Sequence, residues 1–462
     1  MRRFAFLVAL AFAIYLPALR GPFFWDDDEL VYQNPDVTAP GGILHVWANG
    51  AASEYTPVAT ASYWFEWGLW KRHTLGYHVD NVLLHALAAF LIWLVLEQLK
   101  IPGASAAAVL FLAHPLCVES VAWISERRNV LSLVFYLGAV LFYMRFEAAG
   151  ARRDYAAVLA LFTAALLTKA TVVILPMALL LLVWWRRGRI GRKDLARVAP
   201  LFLLALAGGA VRIWFEMHRA TNSGTLADST LAARAGTAVQ AIGFYAAKVV
   251  WPVNLCLIYP RLTGAAAIGA AALLVLCRWR GARFAVLYFL LALAPALGLV
   301  RMAYQQHADV ADHFAYMALI APVALAGAGA ARWGRLGLVL AGVTAAVLMG
   351  FTVQRAWYFG HPDELWQLTA RQNPAAWTAH EHVAIARYER RDFSGAAGEF
   401  QRSLELHPGN YRAWFNLGTS WHLLGRYPEA AAAYAQVLAL RPGLAQAVQR
   451  LEACRRRLPL AP

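Results

Sequence analysis

Charged residues are scarce in this sequence. Only 15% of its 462 residues are Asp, Glu, Lys or Arg, whereas 60% are hydrophobic and the mean hydropathy is +0.48. This composition excludes a single soluble domain, because one soluble core could not hide so much apolar surface. Lysine is rarer still, and it occurs only at positions 71, 100, 169, 193 and 248. The net charge of +15 therefore comes mainly from arginine, and it predicts contact with membrane headgroups and none with nucleic acid.

Cysteine and the common catalytic motifs are also nearly absent. The four cysteines are scattered and form no CxxC pair, so neither a zinc ribbon nor a disulfide scaffold is expected. No P-loop, GxGxxG or GxSxG sequence stands between the strand and helix that such a motif requires. These absences exclude the usual nucleotide-binding and hydrolase sites.

Apolar runs of roughly the 20 residues that a bilayer demands recur along positions 1–355. They lie at 4–19, 82–99, 104–118, 129–146, 155–168, 170–185, 198–215, 262–279, 283–300, 314–331 and 335–353. Arg and Lys are concentrated at every second connection, as the positive-inside rule predicts for cytoplasmic loops. We therefore expect an all-α polytopic membrane protein with about 11 transmembrane helices, a retained signal anchor at a cytoplasmic N-terminus, and a first external loop at 20–81. Whether the less apolar segment 235–251 spans the membrane or lies at its interface stays open.

Residues 363–462 differ in character from the rest of the chain. Pro374, Pro408 and Pro442 follow one another at intervals of 34 residues, the period of a tetratricopeptide repeat. The second unit carries the packing residues of that repeat, which are Trp414, Leu417, Gly418, Ala430, Tyr434 and Pro442. The pattern predicts an extracytoplasmic α-solenoid of two repeats and a capping helix, serving either as a stability cap or as a surface that binds a protein partner.

Four consecutive carboxylates, Asp26 to Glu29, follow the first apolar run directly. Such a group is costly to bury, and at a membrane edge it can act as a base or hold a cation. An acidic loop that merely ends a helix is the alternative. The predicted topology places other polar side chains on the same side, namely His78, Asn81, His85, His114, Glu119, Arg127, Arg128, Lys169, Asp312, His313 and Tyr316.

Two interpretations of these residues stay open. Arg127, Arg128 and Lys169 are cations on the external side, so they suit either a bound phosphate or ion pairs with the acidic cluster. The three histidines at 78, 85 and 114 with Glu119 could hold a zinc ion, although no HExxH spacing occurs. Hydrogen bonding at helix ends is the alternative role for these four residues, and a requirement for a divalent cation is left undecided.

Three stretches resemble one family, the transmembrane and tetratricopeptide-repeat O-mannosyltransferases and their bacterial relatives. Phe24–Asp28, followed by Asn34-Pro35, resembles the acidic opening of that family. Gly76–His85 is similar to its G-[FY]-H-x-x-N-x-x-x-H motif, and His114–Asn129 is similar to its H-P-x-x-x-E-x-V-A-W-I loop. The resemblance implies a C-type glycosyltransferase fold in which the first acidic pair, here Asp26 and Asp27, is the catalytic base or its close support.

The resemblance also implies a reaction. A sugar would pass, with inversion, from a polyprenyl-phosphate carrier to an extracytoplasmic acceptor, as in O-mannosylation of protein Ser or Thr. Arg127, Arg128 and Lys169 would bind the donor phosphate. Arg-rich and Ala-rich usage favours a bacterial inner membrane with the repeats in the periplasm. The alternatives are a transferase or ligase that acts on an envelope glycan or lipid, and a non-catalytic membrane-anchored repeat scaffold.

Overall fold

The computed structural model describes residues 1–48, 55–219, 230–262, 278–300 and 303–457. No β-strand occurs in these ranges, so the predicted all-α fold is confirmed for them. The chain divides into two compact units. The first comprises Met1–Leu255 and Leu262–Gly360, and the second comprises Cys256–Arg261 and His361–Pro462.

The first unit is built from α-helices joined by short 3₁₀ turns. Its described helices are α1 (Arg2–Tyr15), α2 (Pro35–Thr38), α3 (Gly42–Ala48), α4 (Pro57–Trp70), α5 (Thr74–Gln98), α6 (Ala104–Leu112), α7 (Val118–Ala122), α8 (Arg127–Ala149), α9 (Arg152–Leu166), α10 (Leu175–Arg187), α11 (Arg192–Arg219), α12 (Leu231–Val250), α13 (Arg280–Leu293), α14 (Ile320–Arg332) and α15 (Gly334–Gly360). The segment 235–251 lies largely within α12. The predicted span 262–279 falls almost entirely outside the described residues.

Five helical segments in the described part of the chain are long and apolar enough to cross a membrane. They are Thr74–Gln98, Ile124–Ala149, Ala170–Arg187, Arg192–Val211 and Gly334–Gly360. A sixth is obtained if α6 and the helix Pro115–Ala122, which meet at a bend of 56°, are counted as one span. The structure therefore supports a polytopic membrane unit, and the number of eleven crossings stays a prediction.

Small residues allow α6 and α14 to approach each other closely. Gly103, just before α6, has a φ of +72°, and a Cβ at this position would lie 2.0 Å from the carbonyl oxygen of Gly327 in α14. A larger residue at either glycine would push the backbones apart, since small residues are what permit such contacts between membrane helices. The contact fixes the position of α14 and of the polar segment that precedes it.

The second unit contains paired antiparallel helices of the repeat type. It comprises α16 (Pro362–Gln372), α17 (Trp377–Glu389), α18 (Phe393–Leu406), α19 (Tyr411–Leu423), α20 (Tyr427–Leu440) and α21 (Ala445–Arg456). Of the residues predicted to pack between the helices, Leu417, Ala430 and Tyr434 lie in its buried core, whereas Pro442 is exposed. Trp414 packs against this core from its edge and donates a hydrogen bond to the carbonyl of Pro408 at 2.9 Å.

Gly418 lies against the ring of Tyr434, where an added Cβ would be 3.0 Å from the ring carbon Cε1. We expect Gly418→Ala to destabilise the repeat unit by about 1–3 kcal/mol, because the buried tyrosine has no space into which to move. Gly398→Ala in α18 is the matched control, since no atom lies within 4 Å of its added Cβ. It should stabilise by about 0.5–1 kcal/mol. Hydrogen exchange of α20 in the full-length protein measures both effects, and equal protection in the two variants would contradict the close packing.

Candidate active site

Asp27 joins two loops that are far apart in the sequence. Its side chain is 1% exposed, and its two carboxyl oxygens accept hydrogen bonds from the backbone N–H groups of Phe24 at 3.0 Å and Ser125 at 2.7 Å. Burial raises the pKa of Asp27 to about 8, although both amide bonds favour the ionised form. The carboxyl group therefore holds the first acidic loop against the turn that precedes α8.

The neighbouring carboxylates are more accessible than Asp27. Asp26 is half-buried, Asp28 is half-buried at the start of a π-helical turn, and Glu29 is exposed. Burial raises the pKa of Asp28. The residue before Asp26, Trp25, has a φ of +51°, a conformation that costs energy for a large side chain. The sharp turn at Trp25 sets the direction of the chain at the acidic pair Asp26 and Asp27.

Aromatic rings surround this turn. The indole rings of Trp25 and Trp123 are stacked with centroids 5.1 Å apart, and Phe24 meets Trp123 edge-on at 5.5 Å. The ring of His307 lies 5.4 Å from that of Trp25. Trp123 is buried, so the half-buried Trp25 is the indole that offers apolar surface beside the carboxylates.

Arg127 is fully enclosed by protein groups. It is 1% exposed, forms an ion pair with Glu66, and donates hydrogen bonds to Asn81 Oδ1 at 2.7 Å and to the carbonyl of Tyr77 at 2.9 Å. Its guanidinium also lies over the ring of Tyr63, 5.1 Å from the centroid. Since these partners engage each nitrogen of the guanidinium, the geometry favours the ion-pair interpretation of Arg127 over phosphate binding.

Lys169 and Arg128 lie on either side of one carboxylate. Glu126 accepts from Arg128 NH2 at 3.0 Å and from Lys169 Nζ at 3.3 Å, and it also contacts the amide of Asn129. Lys169 donates a further bond to Asn129 Oδ1 at 2.6 Å, and Arg128 Nε donates to the carbonyl of Ser125 at 3.2 Å. Two cations and one anion leave this group with a net charge of +1. Both cationic side chains keep some exposure, 11% for Arg128 and 15% for Lys169.

A small cavity of about 20 Å³ adjoins Lys169. Asn129, Ser132, His313 and Tyr316 also line it. The volume corresponds to roughly one water molecule bonded to polar neighbours. The cavity brings Lys169 together with the predicted site residues of the distant segment 312–316.

Two of the predicted histidines bond to backbone groups. His78 Nε2 donates to the carbonyl of Gly21 at 3.0 Å, which leaves Nδ1 buried without a hydrogen-bond partner in the described residues. His114 Nε2 is 3.1 Å from the carbonyl of Val249, and its Nδ1 accepts from the N–H of Leu116 at 3.2 Å. His114 thus caps the turn at which the α6–α7 span bends.

His85 connects to the segment before α14. Its Nε2 faces the carbonyl of Leu112 at 3.3 Å, so Nε2 carries the hydrogen and Nδ1 accepts from the hydroxyl of Tyr316 at 2.8 Å. This bond places the Tyr316 ring beside α5 and α6.

Glu119, Asp312, His313 and Arg355 form a second buried polar group. Glu119 Oε1 and His313 Nδ1 are 2.6 Å apart, and Asp312 Oδ2 lies 3.5 Å from Arg355 NH2 in α15. All four side chains are at most 6% exposed. The predicted site residues therefore include a cluster around Glu126 and a more deeply buried set that joins α7 and α15 to the 3₁₀ turn Asp312–Ala315.

In the described residues, no three His, Cys, Asp or Glu side chains come together as metal ligands. The histidines at 78, 85 and 114 each bond to different protein groups, and Glu119 pairs with His313. This arrangement favours the hydrogen-bonding role of the four residues over a shared zinc ion.

Sequence reasoning missed three residues of the site. Glu66 and Tyr63 lie in the aromatic helix α4, where neither residue matches the motifs that indicated the site. Tyr63 donates to the carbonyls of Ile124 and Ser125 at 3.1 and 3.0 Å. Asn129 is the last residue of the motif His114–Asn129, but its place in the sequence does not indicate its hydrogen bond to Lys169. Of these three residues, only Glu66 could have been found from the sequence, because a single carboxylate within an apolar aromatic stretch indicates a buried or functional group.

The raised pKa of Asp27 predicts a pH-dependent stability. An aspartate in the unfolded chain titrates near ~3.9, whereas burial raises the pKa of Asp27 in the folded protein to about 8. The folded state binds the proton more tightly between these values, so the free energy of unfolding falls as pH rises through this window.

We expect Asp27→Asn to show a smaller fall in thermal midpoint between about pH 5 and about pH 9 than the wild type. Glu29→Gln, at an exposed carboxylate, is the control and should retain the wild-type slope. Thermal unfolding of the full-length protein in detergent measures the difference. Identical slopes in all three proteins would contradict a buried, protonated Asp27.

Comparison with known proteins gives two family matches. Residues 56–214 match the model described as "Dolichyl-phosphate-mannose-protein mannosyltransferase", and residues 383–445 match a tetratricopeptide-repeat model. The first match contains α4 to α10 and so includes Glu66, Glu126, Arg127 and Lys169. The second confirms the predicted repeats.

Curated relatives agree with the first match. The chain is 31% identical over 160 residues to "Protein O-mannosyl-transferase F38B6.6" of Caenorhabditis elegans, covering 31% of this chain and 23% of the relative. It is 34% identical over 150 residues to "Protein O-mannosyl-transferase Tmtc1" of Drosophila melanogaster, covering 30% and 17%. It is 29% identical over 149 residues to human "Protein O-mannosyl-transferase TMTC2", covering 30% and 18%. The matched stretches thus span less than a quarter of these relatives' own length. Together the matches confirm the predicted resemblance to the TMTC proteins: a stretch similar to the mannosyltransferase model is followed by tetratricopeptide repeats.

Proposed function

We propose that this protein is a membrane glycosyltransferase that transfers mannose from a polyprenyl-phosphate carrier to hydroxyl groups of Ser or Thr in proteins. The named activity of the relatives supports the reaction class. The repeat unit supports a protein as acceptor or partner, because such repeats stack into extended binding surfaces.

One observation carries the proposal, the bond between Asp27 and the backbone N–H of Ser125 at 2.7 Å. The residue after Ser125 is Glu126, which binds Lys169 and Arg128. The acidic loop and the paired cations are therefore connected through two consecutive residues. A base and a phosphate site on neighbouring loops are the two groups that transfer from a sugar phosphate requires.

Asp26 is the proposed base. Asp27 is buried and uses both oxygens for backbone bonds, whereas Asp26 is half-buried beside the stacked indoles. In the transfer step the acceptor oxygen forms a bond to the anomeric carbon and gives its proton to Asp26. The bond from the anomeric carbon to the phosphate oxygen breaks, and its electron pair leaves with the phosphate. Asp27 is then a positioning residue that fixes the loop carrying the base.

Lys169 and Arg128 are the proposed phosphate-binding cations. The donor is a phosphodiester with one negative charge, which matches the net charge of +1 on the group formed with Glu126. The departing lipid phosphate gains a second negative charge, and a fixed cation stabilises that charge as it develops. Arg127 does not contact the phosphate in this proposal. Its bonds hold α4, α5 and α8 together next to the site.

We further propose that the site and the repeats face the outer side of a bacterial inner membrane, with the N-terminus in the cytoplasm. The arginine clusters at alternate helix connections support this orientation. A site outside the cytoplasm also requires a sugar donor anchored in the membrane, which a polyprenyl phosphate provides.

Asp26→Asn should reduce the turnover number for mannose transfer by about 10²–10⁴-fold, because the acceptor hydroxyl loses its base. Transfer of radiolabelled mannose from purified polyprenyl-phosphate mannose to acceptor protein, at saturating donor, measures the change. Glu29→Gln on the same loop is the matched control and should retain wild-type turnover. Wild-type turnover in Asp26→Asn would exclude it as the base, and transfer to glycan but not to protein would exclude the proposed acceptor.

Lys169→Met should raise the KM for the lipid-linked donor by about 10-fold or more while leaving the KM for the acceptor nearly unchanged, because the donor loses one charge-assisted contact. Lys71→Met is the control, since Lys71 is exposed and packs over Trp67 outside the site. Initial rates with each substrate varied in turn separate the two constants. An equal rise of both would indicate general disruption of the site and contradict donor binding by Lys169.

A further inference from the structure

A large apolar cavity of about 720 Å³ lies between α5, α8, α10, α13 and α14. Its volume is within the range of roughly 300–1,000 Å³ that is typical of ligand sites. Leucine, valine and alanine side chains form most of its walls, and Tyr136 and Tyr288 also line it. None of the residues proposed for the transfer reaction lines this cavity.

The cavity opens at helix ends that carry positive charge. Lys100 follows α5, Arg280 begins α13 and Arg332 ends α14, and all three are exposed. Two indoles, Trp185 and Trp279, lie at the same opening, and Trp279 is 64% exposed. Indole rings are enriched at the headgroup level of membranes, so this opening has the composition of a membrane interface.

The cations at the opening are not neutralised by acidic residues in the described part of the chain. No ion pair there involves Lys100, Arg280 or Arg332, and Arg280 donates only to the backbone carbonyls of Trp184 and Trp185 at 3.4 and 2.7 Å. Three exposed positive charges above an apolar cavity match an amphiphile with an anionic head and a hydrocarbon tail. Basic pockets between membrane helices bind lipid headgroups in this way.

We propose that this cavity binds one anionic glycerophospholipid, with an acyl chain between the helices and the phosphate group held by Lys100, Arg280 and Arg332. The cavity is separate from the proposed transfer site, although the same helices line both. Ser132 and Tyr136 are one turn apart on α8, and Ala292 and Tyr288 are one turn apart on α13, with the first residue of each pair at the Lys169 cavity. A lipid bound here would therefore set the spacing of the helices that carry the transfer site.

The test uses full-length protein that has been delipidated in detergent and mixed with equal amounts of phosphatidylglycerol and phosphatidylcholine with identical acyl chains. Native mass spectrometry should show one retained phosphatidylglycerol. The triple variant Lys100→Gln, Arg280→Gln, Arg332→Gln should lower its retention by about tenfold or more. Ala324→Trp, which fills the cavity without changing its charge, should lower retention as well.

The matched control is the triple variant Arg152→Gln, Arg153→Gln, Lys193→Gln, which removes three exposed cations that do not line the cavity. It should retain phosphatidylglycerol as the wild type does, and gel filtration verifies that every variant is folded. Equal retention of the two lipids, or equal losses in both triple variants, would overturn the proposal. Displacement of phosphatidylglycerol by equimolar polyprenyl phosphate would also overturn it, since the cavity would then belong to the sugar donor.

Discussion

The arrangement of the candidate site depends on the burial of one cation, Arg127. Taking a guanidinium out of water costs several kcal/mol unless a carboxylate and further acceptors surround it. Glu66 from α4, Asn81 and the Tyr77 carbonyl from α5, and the ring of Tyr63 meet this requirement together. A shift of any one of these helices would break a contact of the buried guanidinium and leave its charge without a partner. Arg127 therefore fixes α4, α5 and α8 relative to one another.

The consequence extends to the two residues before Arg127. Ser125 and Glu126 form a 3₁₀ turn that has little freedom once α8 begins at a fixed point. Ser125 offers its backbone N–H to Asp27, and Glu126 receives Lys169 and Arg128. A single buried ion pair thereby determines where the acidic loop and the two accessible cations lie. The same argument explains why Arg127 and Arg128, adjacent in sequence, have different surroundings: one faces the helix bundle and the other faces the loop.

Sequence reasoning recovered the class of the fold and many of the polar residues, but not their pairing. Apolar runs and the 34-residue interval of prolines are local patterns, so the membrane helices and repeats could be predicted from them. The partner of Arg127 could not be predicted from the sequence. Glu66 lies 61 residues away, and its helix presents aromatic residues on several faces. The run 104–118 looked like one span, yet Pro115 and the His114 cap break it into two helices at 56°. A hydropathy pattern does not report where backbone hydrogen bonds are interrupted.

The pair Asp26 and Asp27 shows how adjacent identical residues can serve different purposes. The turn at Trp25 leaves Asp27 buried, where two backbone bonds hold it, and Asp26 half-buried beside Trp25. Asp27 is buried and both of its oxygens accept backbone hydrogen bonds, so neither oxygen is left to reach a substrate. A base must instead reach the acceptor and regain contact with water after each cycle, and greater exposure permits this for Asp26. Since Asp27 fixes the loop, replacing it would displace Asp26 too, so loss of activity in an Asp27 variant alone would not distinguish a base from a positioning residue.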